Sequence, residues 1–153
     1  MSIAIGTPVQ RVDAYDKVTG QALFPGDLVR PDMLHMKILF SGRPHAQMRS
    51  IDTSKAEACP GVAAVFTAAD VPVNEYGLLN ADQPALVGIG SRKTGADVAR
   101  FVGDQVALVV AETEDEAAAG CELIEVDWLS LPVLTDPHEA MKSDAPVLLP
   151  GRD

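Results

Sequence analysis

Gln105-Val-Ala-Leu-Val-Val-Ala111, followed by Thr113-Glu-Asp-Glu116 and then Glu125-Val-Asp-Trp-Leu129, is the stretch whose reading decides the fold. The first segment is apolar at nearly every position, the pattern of a strand covered on both faces. Thr113 with Glu116 three residues on forms a capping box, in which side chains satisfy amides at a helix start. Glu114, Asp115 and Glu116 crowd the first turn, where negative charge suits the positive end of the helix dipole. Ala117, Cys121 and Ile124 recur at helical spacing, and residues 125–129 alternate, with Val126 and Trp128 on one face. The order is strand, helix, strand.

Working outward toward the N-terminus, residues 62–66 are a short strand rich in Val and Ala, and Thr67-Ala-Ala-Asp70 is a capped turn before Pro72. Ser54-Lys-Ala-Glu57 carries a second capping box with Ser54 at the cap, and Pro60-Gly61 ends that helix. Residues 47–51 read as a strand. Residues 34–40 alternate, with Leu34, Met36, Ile38 and Phe40 on one face and His35, Lys37 and Leu39 on the other, so at least one side is expected to be covered. Asp13-Ala-Tyr-Asp-Lys-Val-Thr-Gly20 reads as a helix of barely two turns, capped by Asp13 and left through a left-handed Gly20. Residues 73–97 form a long irregular loop carrying one or two short strands, a length that points to function or an interface. Beyond Pro132, Asp136-Pro137 starts a helical turn through Met141.

The 153 residues suit one domain, expected to span 1–153 with an ordered core over 5–146 and a cut linker at 147–153. Hydrophobic residues at 47% and charged residues at 22% are near the globular average, which excludes wholesale disorder. Twelve Lys and Arg against 22 Asp and Glu give a formal charge of −10, which repels nucleic-acid backbones and anionic lipid surfaces. No basic-then-apolar leader opens the chain, and the longest apolar run, 106–111, is too short to span a bilayer. A soluble, cytoplasmic protein is expected. Cys59 and Cys121 lie far apart among apolar or small residues and are expected to be buried free thiols.

Motifs that carry chemistry fail on inspection. Gly88-Ile-Gly90 lacks the third glycine of a dinucleotide fingerprint, because Lys93 stands there. Gly90-Ser-Arg-Lys-Thr-Gly95 has the glycine spacing of a phosphate loop, but Ala96 and Asp97 replace the Lys and the hydroxyl residue that grip phosphate, so it reads as a mobile, solvated loop. His35, His45 and His138 are too separated for a local metal motif. There is no Gly-x-Ser-x-Gly elbow. The carboxylates of Asp13 and Asp16, and those from Glu112 to Glu116, have capping and dipole roles that need no substrate.

Four ordered blocks carry a resemblance. They are Arg11-Val-Asp-Ala-Tyr-Asp-Lys-Val-Thr-Gly20 with Gly26-Asp-Leu28; Met33-Leu34-His35 through His45-Ala46 to Ser50-Ile-Asp-Thr-Ser54; Pro60-Gly-Val62 through Thr67-Ala-Ala-Asp-Val-Pro72; and Phe101-Val-Gly-Asp-Gln-Val106 leading to Glu125-Val-Asp127 and Leu131-Pro132. Together they resemble the α/β hammerhead domain at the start of the molybdopterin-binding large subunit of xanthine dehydrogenases, aldehyde oxidases, carbon monoxide dehydrogenases and hydroxybenzoyl-CoA reductases. Two positions depart from the pattern: Phe40-Ser-Gly-Arg43 stands where relatives read Arg-Ser-Pro-His, and Phe24 stands for a common Tyr.

The resemblance implies an α+β fold, a mixed sheet with short capped helices packed on it. It also implies a division of labour. The molybdenum–pterin cofactor sits in later domains, an active-site Glu lies near the end of the full subunit, and iron–sulfur clusters and FAD belong to other domains or subunits. No residue of this chain is carried over as catalytic, cofactor-binding or metal-ligating. The expected role is structural, inactive alone, with the molybdopterin-binding domains of the same subunit, and iron–sulfur and flavin subunits, as partners. The alternatives are a stand-alone binding or assembly module of the same fold, and a nucleotide-dependent enzyme holding phosphate at Gly88–Gly95.

Overall fold

The computed structural model describes residues 5–149; the last four residues of the expected linker lie outside them. The chain divides into two units, Met1–Met33 and Leu34–Asp153. In the first, α1 (Ala14–Val18) is followed by a 3-10 turn at Pro25–Asp27, and neither buries a residue. Gly20 has φ +75°, the left-handed exit its position demanded. Asp13 does not cap the helix with its side chain. Its carboxylate instead accepts from Arg11 at 3.0 Å and Lys17 at 2.6 Å, because two cations within reach outcompete an amide.

The second unit contains β1 (His35–Phe40), β2 (Ala46–Asp52), α2 (Ser54–Glu57), β3 (Val62–Thr67), β4 (Val98–Ala99), β5 (Gln105–Ala111), α3 (Glu114–Glu122), β6 (Glu125–Ser130) and α4 (Pro137–Ala140). These strands form two three-stranded sheets, β1-β5-β3 and β4-β2-β6, in which every pairing is antiparallel. The α+β class stands, while the single mixed sheet is replaced by two antiparallel ones. The cause lies in the β5-α3-β6 stretch itself. Its two strands do not share a sheet: β5 is the centre of the first, and β6 leaves α3 to pair with β2 in the second.

The core sits where these parts meet. Ala56, Ala107, Val109 and Ile124 are buried together, with Leu39, Ile51, Val62, Val65, Cys121 and Val126 packed around them. Gly120 lets α3 approach the first sheet. A Cβ there would stand 2.7 Å from Val109 Cγ1 and 3.2 Å from Val62 Cγ2. At the start of α3 the Thr113 hydroxyl accepts from the Glu116 amide at 3.2 Å and donates to the Glu116 carboxylate at 2.8 Å. The second box is displaced by one residue: Thr53, not Ser54, is the cap position of α2. Thr53 Oγ1 donates to the Glu57 carboxylate at 2.6 Å, while the Ser54 amide donates to Asp52 at 2.9 Å. The amide that Asp52 accepts from is that of the first helical residue, and the Thr53 hydroxyl, which accepts from no helix amide, donates to Glu57 instead.

Candidate functional site

Three features of the second unit are candidates for function, and the first is a face of the β1-β5-β3 sheet. The register places Met36, Val110 and Ala64 side by side, and next to them Ile38, Leu108 and Phe66. Side chains directly opposite one another share a face, so these six form one apolar surface. The other face, with Lys37, Leu39, Val109 and Val65, is the one α3 and the core cover. Sequence alternation grouped Met36 and Ile38 correctly. It left open which side is covered; on this face Met36 remains 54% exposed and Phe66 43%. Lys37 lies on the covered side because its stem can run past apolar neighbours while its ammonium reaches Glu114 at the start of α3. That ammonium holds the Glu114 carboxyl below its ordinary range.

The second candidate is the segment 73–97. It carries no strand; a bridge between Tyr76 and Gln83 makes a small hairpin, and β4 begins only at Val98. Its base is anchored. Buried Asn74 donates to the Leu86 carbonyl at 2.7 Å and accepts from the Leu86 amide at 2.8 Å. Leu86, Val87 and Ala96 are buried as well, and a Cβ on Gly88 would stand 3.6 Å from Met48 Sδ. The ends of this long irregular segment therefore join the core. Asn74 is the anchor that motif reading missed; a lone Asn between Val73 and Glu75 offers no pattern to find. The tip of the hairpin is the opposite case, with Leu78 93% and Leu79 98% exposed. Beside it lies an open cavity of about 410 Å³ lined by Tyr76, Pro84, Phe101 and Gln105 among others.

The third candidate is the glycine loop. Gly90 and Gly95 have φ of +83° and +70°, and a Cβ on Gly90 would stand 2.7 Å from Ala69 Cβ. Backbone shape accounts for both glycines. The adjoining cavity of about 250 Å³ includes Lys93 and Asp97 in its lining. Lys93 is paired with Glu75 at 3.2 Å, and the Asp97 carboxylate accepts from Gln47 Nε2 at 2.7 Å. A cation already neutralised and an added carboxylate oppose a phosphate-bearing ligand such as a nucleotide or a pterin phosphate. The residues present do not fit such a group.

Other candidates are dispersed. His45 Nδ1 lies 2.6 Å from the Pro132 carbonyl, joining the turn after β1 to the end of β6. His35 sits opposite Ala111 on β1, and His138 lies in the exposed α4. Among the described residues, no three His, Cys, Asp or Glu side chains are grouped to hold a metal. Cys59 and Cys121 are free but half-buried rather than fully buried; burial pushes the Cys121 thiol up. The departing turn at 41–42 is stitched to the turn before β5. The Ser41 amide donates to the Asp104 carbonyl at 2.8 Å, its hydroxyl donates to the Phe101 carbonyl at 2.9 Å, and the Gly42 amide donates to the Val102 carbonyl at 3.1 Å.

One face of this sheet is thus covered by the chain's own α3 and core, while the other is apolar and partly open to solvent. Residues 19–132 match the family described as aldehyde oxidase and xanthine dehydrogenase, a/b hammerhead domain, and the chain belongs to that family. A probable xanthine dehydrogenase component from Bacillus subtilis (strain 168) is 43% identical over 88% of this chain and 17% of its own length. The carbon monoxide dehydrogenase large chain of Afipia carboxidovorans is 40% identical over 94% of this chain and 17% of its own. The crystal structure of the aldehyde oxidoreductase of Desulfovibrio desulfuricans superposes with a TM-score of 0.78 at 34% identity, over 95% of this chain and 17% of that one. The chain thus spans about a sixth of the length of these relatives. Among the described residues no helix is long and apolar enough to cross a membrane.

Proposed function

We propose that residues 1–153 act as one structural domain of the large subunit of a molybdenum-dependent hydroxylase, inactive alone, whose task is to pack against the molybdopterin-binding domains of the same polypeptide. The observation that carries this reading is the open apolar face of Met36, Ile38, Ala64, Phe66, Leu108 and Val110. Six apolar side chains on one sheet face gain free energy when a partner removes them from water. The family relationship supports the choice of partner. Molybdopterin, iron–sulfur clusters and FAD are assigned to domains or subunits outside these residues, in keeping with the poor fit of the Gly88–Asp97 cavity to a phosphate group. The parent reaction is oxidative hydroxylation, and its substrate is set by pocket residues elsewhere. The free thiols Cys59 and Cys121 suit the reducing cytoplasm.

Oxidative footprinting of the full natural polypeptide tests the packing. Met36 should be oxidised at least several-fold more slowly there than in the 153-residue chain by itself, and Phe66→Glu should abolish that protection. Equal oxidation in both would refute the packing and favour a stand-alone module. Turnover of an aldehyde or purine by the purified 153-residue chain would refute the claim that it is inactive alone.

A further inference from the structure

Leu78 and Leu79 are 93% and 98% exposed, yet the hairpin that carries them is braced rather than loose. The Tyr76 amide donates to the Gln83 carbonyl at 2.6 Å and the Gln83 amide returns to the Tyr76 carbonyl at 3.0 Å. Gly77 makes the turn possible: a Cβ there would stand 1.7 Å from the Asn80 carbonyl oxygen. Below the bridge, Asn74 ties the segment to Leu86 and Glu75 pairs with Lys93. A short hairpin fixed at base and neck loses little conformational entropy when it binds, which is the condition for an efficient docking element.

We propose that this hairpin is a docking finger, inserting Leu78 and Leu79 into an apolar socket on the downstream part of the same polypeptide, while the groove beside Tyr76 and Phe101 receives an apolar side chain in return. The proposal rests on the assembly role above and names a contact separate from the sheet face. Area decides the occupant. Tyr76 and Phe101 are each a little over half exposed, so each ring offers on the order of 100 Å² of the ~150–250 Å² an aromatic side chain can bury. With two leucines the patch stays below the ~800 Å² per partner of a stable interface between separate molecules. A covalently tethered partner needs far less, because the chain itself supplies a high effective concentration. Relatives about six times as long as the matched region have the length for such a tether.

The test places a photo-reactive phenylalanine analogue at position 78 or, separately, at position 66 of the sheet face, in the full natural polypeptide. Mixed isotope labelling separates links within one chain from links between copies. Position 78 is expected to cross-link to residues beyond 153 of its own chain. Links from position 66 alone would overturn the finger and leave the assembly reading intact. Links from neither would overturn both, and links from position 78 to a second copy or another subunit would overturn the assigned occupant. As a second measure, Leu78→Ser with Leu79→Ser should leave amide protection at Leu86 unchanged while raising the rate of proteolysis of the full polypeptide at least fivefold. An unchanged rate would overturn the proposal.

Discussion

Gly120 of α3 lies directly against Val109 of β5, so closely that a Cβ at position 120 would be 2.7 Å from Val109 Cγ1. Glycine inside a helix costs about 1 kcal/mol relative to alanine, so its presence is a packing requirement. Gly120→Ala gains that propensity and meets an overpacking cost of about 1–3 kcal/mol. A net loss of stability of about 1 kcal/mol is expected, rising beyond about 2 kcal/mol for Gly120→Leu. Denaturant melts of the two variants measure it, and a stabilised Gly120→Ala protein would contradict the contact.

Asn74 is the hinge pin of the 73–97 segment. Asn74→Ala leaves the Leu86 amide and carbonyl without their side-chain partner in a buried place. Unsatisfied buried groups cost about 1–3 kcal/mol each, so a loss of about 2–6 kcal/mol is expected, with exchange at the Leu86 amide accelerated. Wild-type exchange at Leu86 in the variant would show that the clamp is not what holds the loop.

Thr113→Ala removes the hydroxyl that serves the Glu116 amide. The expected loss is about 1 kcal/mol, typical of an N-cap. Ser54→Ala, by contrast, should cost less, since Thr53 holds the cap position and the Ser54 hydroxyl and amide serve only the exposed Asp52 carboxylate, which they hold below its ordinary range. Equal losses in the two variants would restore Ser54 to the cap.

Glu114 titrates below its ordinary value because the Lys37 ammonium bonds to its carboxylate. A folded value below the unfolded one means that the pair's stabilisation is fully present above the unfolded carboxylate pKa of about 4.3. It is lost as pH falls through the lower folded value. Lys37→Met should return Glu114 to the ordinary range in a carboxyl NMR titration and remove its part of the acid dependence. A Glu114 titration unmoved by that change would exclude the pair.

Cys121 packs on the core and burial raises its thiol pKa. The thiolate is the reactive form, so alkylation of Cys121 at pH ~8 should be several-fold slower in the native chain than in denaturant. Because the folded value is raised, this group disfavours folding only as pH climbs above the unfolded thiol value. Equal rates in both states would place the thiol in solvent.

Much of the local structure was legible in the sequence, and the reason is that it is written in neighbouring residues. The Thr113–Glu116 box, the left-handed Gly20 and the capped turn at Thr67–Asp70, where Asp70 accepts from the Thr67 amide at 2.7 Å, each depend on groups within four positions. The family was legible too: the matched region, residues 19–132, takes in the four blocks apart from residues 11–18 of the first. The candidate surfaces were not. Leu78 and Leu79 look like ordinary core leucines in a string of letters, and nothing adjacent says they will stand at a hairpin tip.

Alternation along residues 34–40 determined that Met36 and Ile38 share a face and that Lys37 and Leu39 share the other. Only the tertiary structure decided which face is covered, because that depends on α3, whose Glu114 meets Lys37 from 77 positions away. The sequence likewise determined that a strand, a helix and a strand run from Gln105 to Ser130. That the two strands enter different antiparallel sheets was settled by long-range pairing, β5 with β1 and β3 and β6 with β2. A periodic pattern records how side chains divide between two sides of an element, whereas the choice of side and partner is a property of the pieces that later meet there.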